Sequence, residues 1–171
     1  MQLSSRDERA LLRSAQAGSA DAFEQLFRAY WPGAFRAALL VAHDDAAAED
    51  IAQEAFLAAI RSLDRFDRHR PFAPWLHRIV VNRAIDWSRA RGIRREVELD
   101  GDRPGPEHRA EVGDELFAAL VTLSPEHRAV IVLRHLLGYT PGEIAGLLGL
   151  PRGTVNSRLR RGLDDLKERL T

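Results

Sequence analysis

The sequence predicts an all-α protein of two small helical domains joined by a flexible linker, the C-terminal one containing a helix-turn-helix. Three observations predict it. Apolar residues recur at three- and four-residue spacing along most of the 171 residues, and no alternating run of useful length reads as a strand. Composition shifts abruptly from Gly92 to Val112, GIRREVELDGDRPGPEHRAEV, where glycine, proline and charge mix without a helical period. Tyr139 to Gly162, YTPGEIAGLLGLPRGTVNSRLRRG, reads as two short helices at a sharp turn, the second ending in arginines. The domains are therefore expected at 1–91 and 113–171, with the linker at 92–112.

Each helix carries its own start and stop signals. Ser5 with Glu8 has the form of a capping box for a first helix ending near Gly18, and Ser19 or Asp21 opens a long second one. Along it Phe23, Leu26, Phe27, Tyr30, Trp31, Phe35, Ala38 and Leu39 fall at helical spacing, while Pro32 and Gly33 predict a kink or a break. Asp44 or Asp45 caps a third helix, DDAAAEDIAQEAFLAAIRSL, with Glu49 and Asp50 early, where the macrodipole favours acids. A fourth begins near Pro71 or Pro74 and runs WLHRIVVNRAIDWSRARG. It buries Leu76, Ile79, Val80, Ala84 and Trp87 and leaves Arg78, Asn82, Asp86 and Arg89 outward. Past the linker, GDELFAALVTL forms one helix, and SPEHRAVIVLRHLLG, capped at Ser124 and Pro125, forms the next.

The helix-turn-helix reading rests on separate steric reasons. Thr140 as N-cap and Pro141 at the first helical position start a helix that Gly149 stops by taking a positive φ. Ala145 allows close crossing, and Val155 packs back into the angle. Pro151 or Gly153 opens the second helix, whose stripe is Val155, Leu159, Gly162 or Leu163, Leu166 and Leu170. Its other face carries Asn156, Ser157, Arg160 and Arg161; Asn and Arg reach base edges, whereas Thr154, Ser157 and Arg158 suit phosphates. An ordinary helical hairpin with solvated arginines is the alternative.

Composition narrows the function. There is no cysteine, which excludes disulfides and thiolate metal sites and is compatible with a reducing cytoplasm. No run approaches the roughly 20 apolar residues of a membrane helix, so a soluble protein without membrane insertion is expected. The six histidines are scattered without a ligand-like pair, and no phosphate loop, nucleophile elbow or supported carboxylate pair is present. Neither metal, cofactor nor enzymatic activity is expected. Net charge is zero, so DNA affinity in isolation should be weak and a larger partner should supply the rest.

Two further surfaces stand out. Asp50, Gln53, Glu54, Leu57 and Arg61 face outward on the third helix, and Leu57 is misplaced among them. A lone exposed leucine is ordinarily without meaning; set among polar neighbours it would also make an amphipathic docking surface for a partner helix. The loop DRFDRHRPFAPW interleaves rings and arginines, as a site for unpaired bases would. Phe66, Phe72 and Trp75 could equally anchor the loop in the core, the reading favoured for at least two of the three.

Taken together, DAFEQLFRAYWPGAFRAAL, AAAEDIAQEAFLAAI, PFAPWLHRIVVNRAIDWSRAR and LSPEHRAVIVLRHLLGYTPGEIAGLLGLPRGTVNSRLRRGLDDLKERL resemble the extracytoplasmic-function (group 4) sigma factors of bacterial RNA polymerase. The order of four blocks is far more specific than LPRGTVNSRLRRG alone. The resemblance implies a cytoplasmic initiation factor whose first domain recognises and melts the minus-ten element and whose second reads the minus-thirty-five element. It implies core polymerase as partner, through the beta-prime clamp and the beta flap, together with promoter DNA and, commonly in the family, an anti-sigma factor. Asp50, Gln53, Glu54 and Leu57 match the clamp-docking helix. Loop residues from Asp64 to Phe72, among them Arg65, Phe66, Arg68 and Arg70, would hold a flipped minus-ten base, Arg78, Asn82 and Arg89 would contact the strands there, and Trp75 belongs to the same minus-ten set. Thr154, Asn156, Ser157, Arg158, Arg160 and Arg161 would meet the minus-thirty-five element. Asn156 stands where a basic residue is frequent, and the loop is richer in Arg, His and Asp than is usual, which touches promoter sequence more than function. No additional domain follows Thr171, implying a minimal two-domain member. The alternative is a stand-alone helix-turn-helix regulator binding DNA as a dimer; a sequestering protein would make no DNA contact.

The linker supplies a physical check. As a free coil it averages about 25 Å end to end, against roughly 70 Å between elements two DNA turns apart, and even full extension gives about 65 to 70 Å. It should therefore be drawn out along polymerase, with the domains collapsing on each other when free.

Overall fold

The structure, a computed structural model, describes residues 3–97 and 114–170. Every regular element among the described residues is helical, as expected: α1 Ser5–Gln16, α2 Ala20–Ala42, α3 Asp45–Ser62, α4 Phe72–Val97, α5 Asp114–Val121, α6 Pro125–Ile131, α7 Pro141–Leu148 and α8 Arg152–Leu170. A 3-10 turn, Leu63–Arg65, follows α3, and a π turn, Val132–Leu136, prolongs α6. Helix α4 continues past Gly92 to Val97, so the expected linker opens in helix; residues 98–112 lie outside the described residues.

In the N-terminal unit α2, α3 and α4 pack on one another and α1 packs on α2. Small residues on α2, Ala34, Ala37 and Ala38, are fully buried and let α3 and α4 approach closely. Aromatic rings fill the space where the helices diverge: Phe27 lies 4.7 Å from Phe56 and 5.0 Å from Trp31, centroid to centroid. Two expectations need correction. Helix α2 is unbroken at Pro32, which lies exposed on its solvent side. Proline removes one backbone bond there, and the packed faces on either side outweigh that local loss. The cap of α1 is Ser4, not Ser5: its hydroxyl accepts the Asp7 N–H at 3.2 Å. Glu8 does not complete a capping box. Its carboxylate reaches across the unit, accepting the Phe72 N–H at 3.1 Å and the Tyr30 hydroxyl.

The C-terminal unit is built from α5 to α8. Thr140 caps α7, Pro141 opens it, and Gly149 ends it at φ 64, each as the sequence predicted; Glu143 completes a reciprocal capping box with Thr140 that the sequence reading did not include. Val155 is fully buried in the angle between α7 and α8. Gly162 is needed for close approach, because a Cβ there would stand 3.1 Å from Ile131 Cγ1 of α6.

The two units are packed together, and one continuous cluster of buried side chains runs through both. Arg128 of α6 is buried between them. It donates to the Val41 carbonyl at the end of α2 (2.7 Å) and to Val121 and Leu123 in its own unit (3.1 and 3.0 Å). A guanidinium suits this place because the last carbonyls of a helix lack intrahelical partners and carry its negative dipole end. His77 Nδ1 lies 2.7 Å from the Tyr139 hydroxyl, and His43, held at φ 59, stacks on Phe117 at 3.9 Å.

Candidate nucleic-acid interface

The loop between α3 and α4 and the first turns of α4 enclose a groove of about 360 Å³. Arg65, Phe66, Trp75, Arg78 and Asn82 line it, together with Ile79, read from the sequence as a core residue, and Ala58 and Ser62, which carried no expectation. Trp75 closes the first turn of α4, with Arg78 and Asn82 one and two turns further along the same side. The small residues are legible only afterwards: Ala58 and Ser62 are one helical turn apart on α3, and the Ser62 hydroxyl donates to the Ala58 carbonyl at 2.7 Å. Phe66 and Phe72 are buried and Trp75 is half-buried, so two of the three rings are core. Phe66 also forms the groove floor, its ring 4.6 Å from Trp75. Aromatic walls with guanidinium and amide groups at the rim can stack a base, contact its edge and hold its phosphates.

Three residues of the expected minus-ten set stand away from the groove. Arg68 donates weakly to Gln16 at 3.4 Å, and Arg70 lies 3.9 Å from Asp67. Arg89, two turns beyond Asn82, is paired with Glu126 of α6 at 2.5 Å. Burial raises the Glu126 carboxyl, but its own backbone amide, Arg89 and the nearby charge of Arg158 outweigh this and hold it below the usual carboxylate range. Glu126 thus sits between one arginine of each expected DNA-contact set.

On α8, Asn156, Arg160 and Arg161 are exposed on the face away from the core. Thr154, Ser157 and Arg158 are half-buried, and the Ser157 hydroxyl is turned back onto the Thr154 carbonyl at 3.0 Å. Arg152, exposed at the start of the helix, was not singled out; recognition helices use their N-terminal residues at base edges, which is the signal for it.

On α3, Asp50, Gln53, Glu54 and Leu57 are all exposed. Leu57 is 50% exposed and Ile60, one turn on, 45%, so the odd leucine belongs to a two-residue apolar patch. Glu54 is tied to Arg83 of α4 at 2.9 Å, while Gln53 donates to Glu49 at 3.2 Å. A second apolar groove, about 370 Å³, lies in the C-terminal unit between Leu116, Leu120, Leu136, Leu163, Leu166 and Leu170. Among the described residues no cluster of His, Asp or Glu could hold a metal ion, and no helix is long and apolar enough to cross a membrane.

An arginine and aromatic groove thus lies on one helical unit and a helix-turn-helix on the second. The chain matches the family models Sigma-70 region 2 over residues 26–93 and Sigma-70, region 4 over residues 113–166. The ECF RNA polymerase sigma factor SigM of Mycobacterium tuberculosis is 34% identical over 158 residues, covering 91% of this chain and 81% of that protein. SigE of Mycolicibacterium smegmatis is 37% identical over 86% of this chain, which spans only 61% of that relative's length. The sigma factor RpoE of Bartonella quintana, solved with the anti-sigma factor NepR, superposes with a TM-score of 0.72 at 25% identity, covering 86% of this chain and 96% of that one. The chain belongs to the ECF family of RNA polymerase sigma factors.

Proposed function

We propose that this protein directs core RNA polymerase to promoters by binding alone, without catalysing any step, holding unpaired minus-ten bases in the α3–α4 groove and reading the minus-thirty-five element with α8. The observation that carries this reading is the groove itself, where Phe66, Trp75, Arg65, Arg78 and Asn82 converge from one loop and one helix. Melting is then driven by the free energy of trapping unstacked bases. Arg89 joins the minus-ten contacts once released from Glu126, and Asn156, Arg160 and Arg161 face the upstream element. The Leu57 and Ile60 patch, flanked by Asp50, Gln53 and Glu54, serves the beta-prime clamp; the apolar groove of the C-terminal unit offers the beta flap a seat. An anti-sigma factor is the further partner, since a sigma factor of the same fold has been solved with one. Domains at 1–91 and 113–171 carry the two activities.

The test is reconstitution. Purified chain added to core polymerase should produce promoter-specific transcripts from a genomic template, and without polymerase only weak binding with no site-specific footprint is expected. Footprints over a palindrome without polymerase would instead make it a stand-alone dimeric regulator.

A further inference from the structure

Helix α1 lies outside the matched 26–93 segment, yet it reaches the loop that makes the groove. The loop's own backbone bonds are few: the Phe66 N–H to the Leu63 carbonyl at 3.1 Å and the Arg70 N–H to the Asp67 carbonyl at 2.9 Å. Gln16, the last residue of α1, donates its amide to the Leu63 carbonyl at 3.0 Å and to the Phe66 carbonyl at 2.8 Å. One NH2 group therefore clamps both ends of the turn, 47 and 50 residues away in sequence. Its carbonyl side accepts Arg68. One face of the same helix earlier carries Glu8, which holds the first N–H of α4 and, through Tyr30, the ring packed on Phe72 at 5.0 Å. Among the described residues, both side chains that reach the backbone of 63–72 from another element belong to α1.

From this geometry we infer that Gln16 is a positioning residue for minus-ten recognition, fixing the Leu63–Phe66 turn so that Arg65 and the Phe66 ring stand at the groove. Glu8 fixes the other end of the loop. The chemistry is specific to a primary amide. Two convergent N–H donors meet two carbonyls, which a carboxylate would repel and an aliphatic chain would leave to water. The inference rests on the proposed role of the groove, and its test separates the two.

Gln16→Met and Gln16→Glu keep the side chain's length, and Arg13→Ala on the same helix is the control. Hydrogen exchange on the full chain should show the hydrogen-bonded loop amides of Phe66, His69 and Arg70 exchanging about tenfold faster in both Gln16 variants, with α3 and α4 unchanged, because the turn has lost both of its bonds to Gln16. Unchanged loop exchange, or faster exchange spread through α3 and α4, overturns the clamp whatever the groove binds. For function, wild-type holoenzyme selects a promoter from a DNA library randomised at both elements, and a forked probe carrying only the selected minus-ten strand is then titrated. The Gln16 variants should bind that probe roughly five- to tenfold more weakly, while core binding and binding of a minus-thirty-five duplex stay at wild-type levels. Equal binding of the forked probe by wild type and variants overturns the positioning role alone. Failure of wild-type holoenzyme to select any minus-ten sequence overturns the proposed function and this role with it.

Discussion

His77 shows how one buried side chain sets a pH response. Burial beside Gly33 and Tyr139 pushes its imidazolium down to about 4, so it is neutral at pH 7. The unfolded chain, with an ordinary histidine near 6.5, takes up the proton first as pH falls. Stability is therefore complete above about pH 6.5 and declines toward pH 4, by an amount on the order of 3 kcal/mol at most. Thermal unfolding midpoints across that range should drop for wild type and stay flatter for His77→Gln; parallel curves would count against it. Burial raises the Asp44 and Glu126 carboxyls, but hydrogen bonds and neighbouring arginines outweigh it and hold both below the usual carboxylate range. They add a separate loss that begins as the unfolded carboxylates take up protons, around about pH 4, and completes below it. Tyr139, pushed up to about 12 by burial and then by the charge of Glu143, stays protonated throughout.

Helices α3 and α8 present their faces outward, and each carries a prediction. Leu57→Arg should abolish capture of core polymerase in a pull-down yet leave the unfolding midpoint within about a degree or two, because half of Leu57 is already in water. Replacing Arg160 and Arg161 together with Ala should cut minus-thirty-five-dependent transcription tenfold or more, since each base or phosphate contact contributes about 1–3 kcal/mol, while core binding persists. Helices of this kind were legible in the sequence wherever the deciding interactions are local. Thr140, Pro141 and Gly149 act within one or two turns, and the helix they predict is the one observed. The apolar period likewise placed Val155 and the outward Leu57. What the pattern hid is what acts at a distance: Glu8 has the spacing of a cap but serves Phe72, and Gln16 looks like an unremarkable helix end. Pro32 does not break α2 for a related reason, because its local cost is fixed while the packing that outweighs it comes from α3 and α4. The groove was half visible, its rings and arginines being conspicuous and its small residues, Ala58 and Ser62, carrying no signal of their own.

At the scale of the whole molecule the packed arrangement and the proposed promoter span are two different states. Arg128 on Val41, His77 on Tyr139 and Arg89 on Glu126 all join the units, and each must part if the two grips are to reach elements roughly 70 Å apart. Because the chain has no cysteine, dyes can be placed at introduced cysteines replacing Gln25 and Glu168. Glu126→Gln with Tyr139→Phe should shift the closed-to-open ratio of the free chain about tenfold toward open, as one ion pair and one hydrogen bond lost together permit. Energy transfer equal to wild type would sink that expectation. Glu126 has one more consequence, in the ionic-strength dependence of DNA binding. In the proposed DNA complex Arg89 exchanges a carboxylate for a phosphate, so it releases DNA counterions only after giving up a neutralising partner. Added salt weakens both sides of that exchange. For the free chain, the logarithmic salt slope of affinity should therefore be shallower than its count of phosphate contacts implies, and it should steepen in Glu126→Gln.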